Sequence, residues 1–314
     1  MDVWQGIGGS RLDWGCLPPR VRGGIEDVVG ARVIAAQSKP GGFSPGLAAR
    51  LRLSDGRRVF AKAMSDSPNP TGPRLLRREA EVLDGLPAGL PVAYPIGHYD
   101  DGDWVALLLS DIDGDTPVLP WRPQELNRVL AAVHTLGEAL TPSPIPAPTV
   151  AELLVNDFAQ WRALTERPSA VERLPDWVGD HLDLLAALEH GWADAAAGHT
   201  LLHMDLRADN VLLTGEQVVI VDWPHAAIGA NWIDPMCMVP SIAMQDGGDP
   251  ETLWQRLPYT RTIDRRSVNA VLAALTGFFL VNSLKPPPPG LPRLREFQRR
   301  QGEFALSWLE NRLS

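Results

Sequence analysis

The segment 203–210, HMDLRADN, and the apolar runs that follow it constrain the fold more than any other part of the sequence. The runs 211–213 (VLL) and 218–221 (VVIV) are separated by a short polar turn, and this pattern predicts a hairpin of two strands. Such a hairpin brings Asn210, at its start, and Asp222, just past its end, toward the same point. The sequence therefore predicts a loop and a hairpin that gather polar side chains at one end.

The spacing of Asp205, Asn210 and Asp222 is typical of phosphoryl transfer. In an H-x-D-x-x-x-x-N segment followed by a strand that ends in Asp, the first carboxylate accepts the proton of an attacking hydroxyl. The amide oxygen and the second carboxylate then hold Mg²⁺, which prefers oxygen ligands. A short Asp/Asn pattern also arises by chance in ordinary loops. The strand pattern on both sides favours Asp205 as the catalytic residue and Asn210 and Asp222 as metal ligands.

The first 110 residues are predicted to form mainly a twisted antiparallel sheet with one helix. Alternating apolar residues occupy 31–37 and 47–63, and Asp55-Gly56 within the second stretch indicates a hairpin turn. A second hairpin is predicted around Asp101-Gly102. The predicted helix covers residues 74–85, and a further short helix is indicated around residues 19–29.

A glycine-rich loop, SKPGGFSPG at 38–46, lies between the first two predicted strands. Its glycines allow backbone amides to approach a ligand closely. The loop matches neither G-x-G-x-x-G nor the Walker pattern, and a plain hairpin also accounts for it. The functional interpretation places Gly41, Gly42 and Ser44 above the triphosphate of a bound nucleotide.

Lys62 ends a strand pattern, VFAKA, beside this loop. A lysine in that position can reach the α- and β-phosphate oxygens of a nucleotide. It needs a carboxylate to hold it, and the next predicted helix offers Glu79 and Glu81. Alone, Lys62 would be interpreted as a solvated strand lysine. Together with the loop and the Asp205 motif, it is better interpreted as a phosphate-binding residue.

The chain beyond residue 110 is predicted to be helical apart from the hairpin at 211–221. The predicted helices are 123–140, 151–166, 177–197, 232–244, 267–284 and 291–313. The Pro-rich stretch 141–149 is interpreted as a connector. The expected fold class is α+β with two lobes: a nucleotide-binding lobe at 1–110 and a helical lobe at 111–314 with the catalytic loop and acceptor site.

Charge and composition exclude several classes of partner. The first 110 residues carry 13 basic and 12 acidic residues, whereas the rest carries 16 basic and 26 acidic ones. This acidic second part disfavours nucleic acid as a partner and would suit a cationic small molecule. No apolar run reaches the roughly 18 residues of a membrane span, so no membrane partner is expected. Two cysteines and an N-terminus unlike a signal peptide lead us to expect a cytoplasmic protein.

The motifs taken together resemble the aminoglycoside phosphotransferase family, small-molecule kinases with a protein-kinase-like fold. The segments that carry the resemblance are GGFSPG (41–46), VFAKA (59–63), RREAEVL (77–83), LLLSDIDG (107–114), LLHMDLRADNVLL (201–213) and IVDWPHAAIGANWIDP (220–235). They occur in the family's order and span most of the chain.

The resemblance implies a bilobal fold with ATP, or GTP, in the cleft between the lobes. The hinge would be 107–113, where the backbone of Ser110 and Ile112 bonds the purine. Lys62 would bind phosphates, with Glu79 as its partner, and His203 would be structural.

The chain also departs from the family's pattern. Met204 stands where the family commonly has glycine, and Ser110 where the hinge often has an acidic residue. The family has no portable acceptor motif, so His225, Trp232 and Asp234 are acceptor candidates by position only, and for His225 we prefer a structural role.

The predicted function is transfer of a γ-phosphate to a hydroxyl of a small molecule, among which an aminoglycoside or another antibiotic is a candidate. One alternative is a nucleotide-binding regulatory protein without transferase activity. A protein kinase is a weaker alternative, because the span from Asp222 to Asp234 is short for an activation segment and no A-P-E triplet follows it.

Overall fold

The computed structural model of the chain describes residues 11–39, 46–67, 71–166, 168–288 and 291–314. Its N-terminal part is built on a five-stranded antiparallel sheet in the order β1-β2-β3-β5-β4. The strands are β1 (Val33–Ser38), β2 (Leu47–Leu53), β3 (Arg58–Ser65), β4 (Pro95–Asp100) and β5 (Trp104–Ser110). The two predicted hairpins are confirmed, and their turns contain Gly56 at φ +91° and Gly102 at φ +92°, values that favour glycine.

Helices cover both faces of the sheet. Helix α1 (Pro19–Val29) packs Val21 and Ile25 against one face, and α2 (Thr71–Gly85) packs Leu76 against the other. Strand β5 shows why two helices are needed. Its even-numbered Ala106 and Leu108 join the cluster under α1, whereas its odd-numbered residues join the cluster under α2. Successive strand residues point to opposite faces, so an apolar run such as β5 must be buried on both.

The remainder of the described chain is mainly helical, as predicted. Its helices are α3 (Pro123–Ala139), α4 (Val150–Leu154), α5 (Gln160–Thr165), α6 (Asp176–His190), α7 (Trp192–Ala195), α8 (Ile233–Met244), α9 (Pro250–Gln255), α10 (Arg265–Ser283) and α11 (Leu294–Leu313). Short 3-10 turns occur at Trp14–Cys16, Pro168–Arg173, Ala208–Asn210 and Pro258–Arg261. Helices α10 and α11 pack along each other, and residues 268–277 of α10 are all buried.

Two helices that were predicted to be continuous are each divided into two helices. The predicted helix 151–166 is two helices, α4 and α5, because a buried carboxylate on α6, Glu189, accepts hydrogen bonds from the backbone N–H groups of Trp161 and Arg162 and begins α5 there. The predicted helix 177–197 is likewise divided between α6 and α7. Helix α9 was not predicted.

Two short strand pairs lie beside the helices. Strands β7 (Val211–Leu213) and β8 (Val218–Ile220) form the predicted hairpin. Strands β6 (Thr200–Leu202) and β9 (Ala227–Gly229) form a second pair, which was not predicted. The α+β class is therefore confirmed, and across the described ranges no helix is long and apolar enough to cross a membrane.

Candidate active site

A cavity of about 730 Å³ opens where the five-stranded sheet meets the β7–β8 hairpin. Backbone bridges between Val92 and Ile220 and between Asp115 and Leu213 hold these two parts together. Residues that line the cavity come from both parts: Arg11, Lys39, Leu47, Ala48, Arg50, Phe60, Lys62, Met64, Ala93, Leu109, Ser110, Asp111, Ile112, Gly114, Asp115, Thr116, Pro117, Val118, Leu119, Arg207, Ala208, Asp209, Asn210, Leu212, Val221, Asp222, Gln245 and Phe297.

Lys62, Glu79 and Asp222 meet on one side of this cavity. The Lys62 Nζ lies 2.8 Å from each carboxylate oxygen of Glu79 and 2.6 Å from Asp222 Oδ1. The Glu79 side chain on α2 is 1% exposed, so the ion pair is anchored in the core of the sheet region. Of the two glutamates that the sequence offered, the partner of Lys62 is thus Glu79.

Burial and charge oppose each other in this cluster. Burial alone would lower the pKa of Lys62, but the charges of Asp222 and Glu79 raise it. Burial would raise the pKa of Asp222, whereas Lys62 lowers it to about 2. For Glu79 the effect of burial dominates, and its pKa is raised. Lys62 and Asp222 are therefore charged at neutral pH.

The segment 203–210 gathers polar groups around Asp205. Arg207 Nη1 donates to Asp205 Oδ1 at 2.8 Å, and Arg207 also pairs with Asp209 through two bonds of 3.0 Å. Asn210 Nδ2 donates to the Asp205 carbonyl at 2.8 Å and to Oδ2 at 3.2 Å. Burial raises the pKa of Asp205 to about 6, against the opposing effect of Arg207. Asp205 is thus mainly ionised near pH 7 but poised to accept a proton.

Asp234 holds the backbone of the segment 203–210 in place. Its carboxylate accepts the N–H of His203 at 2.6 Å and that of Met204 at 2.9 Å. Asp234 is 9% exposed and is not among the residues that line the cavity. Both carboxylate oxygens hold backbone groups, which indicates a structural role for Asp234 rather than acceptor binding. Trp232 is also buried, in the helical core.

His203 connects the segment to the strand that precedes Asp222. Its Nε2 donates to the Val221 carbonyl at 3.0 Å, and its Nδ1 accepts the Asp205 N–H at 3.2 Å. Burial lowers the pKa of His203 to about 4, so the ring is neutral. A neutral ring with one donor and one acceptor nitrogen satisfies both bonds.

Two non-glycine residues of the site adopt left-handed backbone conformations. Met204 has φ +64° and Asp222 has φ +73°. Such values favour glycine, which gives a physical reason for the family's glycine at the position of Met204. Here the Asp234 bond to the Met204 N–H holds the conformation.

Asn210 and Asp222 both line the cavity and offer oxygen donors. The Asn210 Nδ2 is used by Asp205, which leaves the amide oxygen as its remaining polar atom. The described residues contain no group of three or more His, Cys, Asp or Glu side chains that could hold a metal. Mg²⁺ commonly needs only one or two protein ligands, because phosphates and water complete its shell. The two residues therefore fit a nucleotide-bound Mg²⁺.

Ser110 and Ile112 lie where β5 leaves the sheet, and both line the cavity. The Ser110 N–H donates to the Tyr94 carbonyl at 2.8 Å, and its hydroxyl accepts the Tyr94 N–H at 2.9 Å. The Ile112 carbonyl accepts the Gly114 N–H at 3.0 Å and a bond from Arg50. These bonds use the Ser110 N–H and hydroxyl and the Ile112 carbonyl.

The predicted phosphate-loop residues Gly41, Gly42 and Ser44 lie outside the described residues. Gly46, just before the strand that follows them, is tightly packed, since a Cβ there would lie 2.4 Å from the Ala63 carbonyl oxygen.

Several residues that line the cavity were not predicted from the sequence. Arg207 lies inside the motif and could have been found from its place between Asp205 and Asp209. Phe297 lies on α11, with the Arg207 guanidinium 5.7 Å from its ring centre. Gln245 follows α8. Neither carries a sequence signal, because each enters the cavity through the tertiary packing of a helix distant in sequence.

Comparisons with known proteins identify a family and a fold. Residues 46–264 match the model of the phosphotransferase enzyme family, APH. No curated protein sequence shows significant similarity to the chain.

Solved structures of kinases share the fold. A thermostable mutant of aminoglycoside phosphotransferase APH(4)-Ia, in complex with AMP-PNP and hygromycin B, has a TM-score of 0.63 at 13% identity, covering 93% of this chain and 98% of that one. Choline kinase LicA from Streptococcus pneumoniae has a TM-score of 0.63 at 11% identity, with the same coverage. A putative fructosamine-3-kinase from Haemophilus somnus has a TM-score of 0.54 at 12% identity, covering 94% and 97%.

These likenesses show the bilobal, protein-kinase-like fold. Because the family match covers more than half of the sequence, the chain belongs to the phosphotransferase enzyme family APH.

Proposed function

We propose that this protein transfers the γ-phosphate of ATP, or of GTP, to a hydroxyl group of a small molecule. The observation that carries the proposal is one cavity lined by Lys62, Asn210 and Asp222. Glu79 pairs with Lys62 behind this lining, and Asp205 is hydrogen-bonded to Asn210. The raised pKa of the Asp205 carboxylate beside Asn210 favours this function over a purely structural ion pair.

The nucleotide is assigned to the sheet side of the cavity, and the lobe 1–110 is proposed to bind it. Backbone groups of Ser110 and Ile112 would bind the purine, and the apolar side chains of Leu109 and Phe60 line the same region. Lys62 would bind phosphate oxygens while Glu79 keeps it in position. Gly41, Gly42 and Ser44 are proposed to cover the triphosphate.

Asp205 is proposed to accept the proton of the acceptor hydroxyl. The acceptor oxygen forms a bond to the γ-phosphorus as the bond to the β-phosphate oxygen breaks, and the proton passes to the Asp205 carboxylate. Asn210 and Asp222 would hold Mg²⁺, which when bound neutralises charge on the phosphates. Arg207 orients Asp205 through its bond to Oδ1.

The acceptor is assigned to the side of the cavity formed by residues 111–314. Its walls combine apolar side chains, including Val118, Leu119 and Phe297, with the polar Gln245 and Asp209. An aminoglycoside is the first acceptor to test, because this part of the chain carries the acidic excess. The two cysteines are free, which fits the cytoplasm, where nucleotide donors are also available.

Nucleotide binding is the first test of the proposal. Thermal unfolding would be followed with Mg-ATP, Mg-GTP and metal-free nucleotide, and a ligand at about 100-fold over its Kd adds roughly 2.7 kcal/mol of stability. We expect a magnesium-dependent rise in Tm with one or both nucleotides. Absence of any shift would contradict the proposal.

Turnover is the second test. Wild-type protein and the Asp205→Asn variant would be incubated with the preferred nucleotide and a panel of hydroxylated small molecules that includes aminoglycosides. Phosphorylation by the wild type alone supports the proposal. Nucleotide binding with no turnover on the panel would favour a regulatory nucleotide-binding protein.

A further inference from the structure

The N-terminal segment around Arg11 lies against the start of β2, between the two ends of the glycine-rich stretch. Arg11 forms a parallel bridge with Gly46, and the Leu12 N–H donates to the Gly46 carbonyl at 3.0 Å. Two residues on, Asp13 accepts the Ser38 hydroxyl at 2.7 Å. The segment is therefore attached both where the chain enters the glycine-rich stretch and where it leaves.

This attachment brings the Arg11 side chain to the phosphate side of the cavity. Gly46 packs closely against Ala63, the neighbour of Lys62 on β3, and Arg11 lines the cavity together with Lys62 and Asp222. The charge of Asp222 acts on the Arg11 guanidinium, whose pKa is lowered by burial. A cation thus reaches the phosphate side from a segment that the motifs of the sequence do not include.

The charge balance of the ion pairs around Lys62 and Arg207 indicates what this cation could do. The ion pairs on the phosphate side join four carboxylates to two cations: Glu79 and Asp222 with Lys62, and Asp205 and Asp209 with Arg207. That cluster has an excess of two negative charges before any nucleotide binds. A polyphosphate brings further negative charge, so a further cation on this side of the cavity favours its binding.

We propose that Arg11 is a second phosphate-binding residue, which contacts the nucleotide's phosphate groups together with Lys62. The inference rests on the proposed nucleotide site. In this proposal residues 11–13 position the Arg11 guanidinium, whose planar donors suit phosphate oxygens.

The test compares Arg11→Met with a matched control, Arg20→Met. Arg20 has the same side chain in the same region but is 54% exposed, pairs with Asp101 and is not among the cavity-lining residues. Titration calorimetry would measure the binding of Mg-ATP, ADP and adenosine to each protein. We expect Arg11→Met to weaken Mg-ATP and ADP binding by about ten- to a hundredfold and to leave adenosine binding unchanged, a loss typical of one charge-assisted hydrogen bond.

The remaining outcomes separate the two proposals. Arg20→Met should bind all three ligands as the wild type does, and Arg11→Lys, which keeps the charge, should recover much of the lost ATP affinity. Equal ATP affinity in Arg11→Met and wild type, or an equal loss for ATP and adenosine in a variant that melts like the wild type, overturns the role of Arg11. If the wild type binds no nucleotide, the proposed function itself fails, and this inference fails with it.

Discussion

Asp205 combines two properties that a catalytic base needs. It is held by Arg207 and Asn210, and burial raises its pKa to about 6. A carboxylate with that pKa is ionised at neutral pH and yet basic enough to take a proton.

The raised pKa of Asp205 predicts the acid side of the pH profile. Below about pH 6 the carboxylate is protonated and can no longer act as a base, so kcat/KM should fall about tenfold per pH unit. Asp205→Asn should lower kcat by about a thousandfold or more while nucleotide affinity stays within a few-fold of wild type. A flat profile between pH 5 and 7, or near-normal kcat in the variant, would contradict the role of Asp205.

Lys62 compensates the charge of a carboxylate that is almost fully buried. In Lys62→Met, Glu79 would keep its burial but lose its cation, and its pKa would rise further above the unfolded value. A group with a raised carboxyl pKa contributes stability below its unfolded pKa, and that contribution is lost as pH rises toward the folded pKa. The free energy of unfolding of Lys62→Met should therefore be only slightly below that of the wild type near pH 4.5 and about 3 kcal/mol below it near pH 8.

Urea unfolding of both proteins at several pH values would measure this difference. Arg78→Met serves as the control, because Arg78 is a cation on the same helix as Glu79, paired with the exposed Glu81. If the difference in unfolding free energy between Lys62→Met and wild type does not grow with pH, the prediction is wrong, and Glu79 is neutral in both proteins.

At the scale of elements, α5 depends on a side chain from another helix. Glu189 on α6 is fully buried and accepts the N–H groups of Trp161 and Arg162 at 3.0 Å, together with Arg162 Nε at 3.1 Å. The first N–H groups of a helix have no intrahelical partner. Glu189 supplies that partner, and its negative charge is favourable at a helix N-terminus.

Glu189→Ala should destabilise the protein by about 3 kcal/mol, because two buried N–H groups lose a charged acceptor. KM for the nucleotide should stay unchanged, since Glu189 does not line the cavity. The exposed Glu172→Ala is the control and should unfold like the wild type. Chemical denaturation measures both variants, and equal stability of Glu189→Ala and wild type would contradict the capping role.

The same pair of helices shows where sequence-based prediction reaches its limit. The apolar spacing across 151–166 predicts one helix, whereas the division into α4 and α5 depends on Glu189, which lies more than twenty residues further along the chain. The hairpin after Asn210 was predictable because its turn, its strands and its polar ends are adjacent in sequence. Arg11 and Phe297 were not, since packing over long sequence separations brings them to the cavity.

At the scale of the whole molecule, the two lobes share one apolar core. The cluster beneath α2, with Leu76 and Leu107, is continuous with the helical core around Trp161 and Trp223. Shared burial of this kind makes the folding of one lobe depend on the other.

This continuity predicts a single unfolding transition. Far-ultraviolet circular dichroism reports the helices, and tryptophan fluorescence reports packing around residues such as Trp223, so the two melting curves should coincide within about 2 °C. Mg-ATP should move both curves together. Two separated transitions would show that the lobes unfold independently despite the shared core.

The Lys62 ammonium group contacts three carboxylate oxygens, and these contacts affect how a nucleotide could bind. Its ammonium group has three hydrogens, and in this structure Glu79 and Asp222 already accept from it. A phosphate can bind Lys62 well only if Asp222 turns to another partner. If Asp222 holds Mg²⁺ as proposed, the same binding event would free Lys62 to contact the phosphates of the nucleotide.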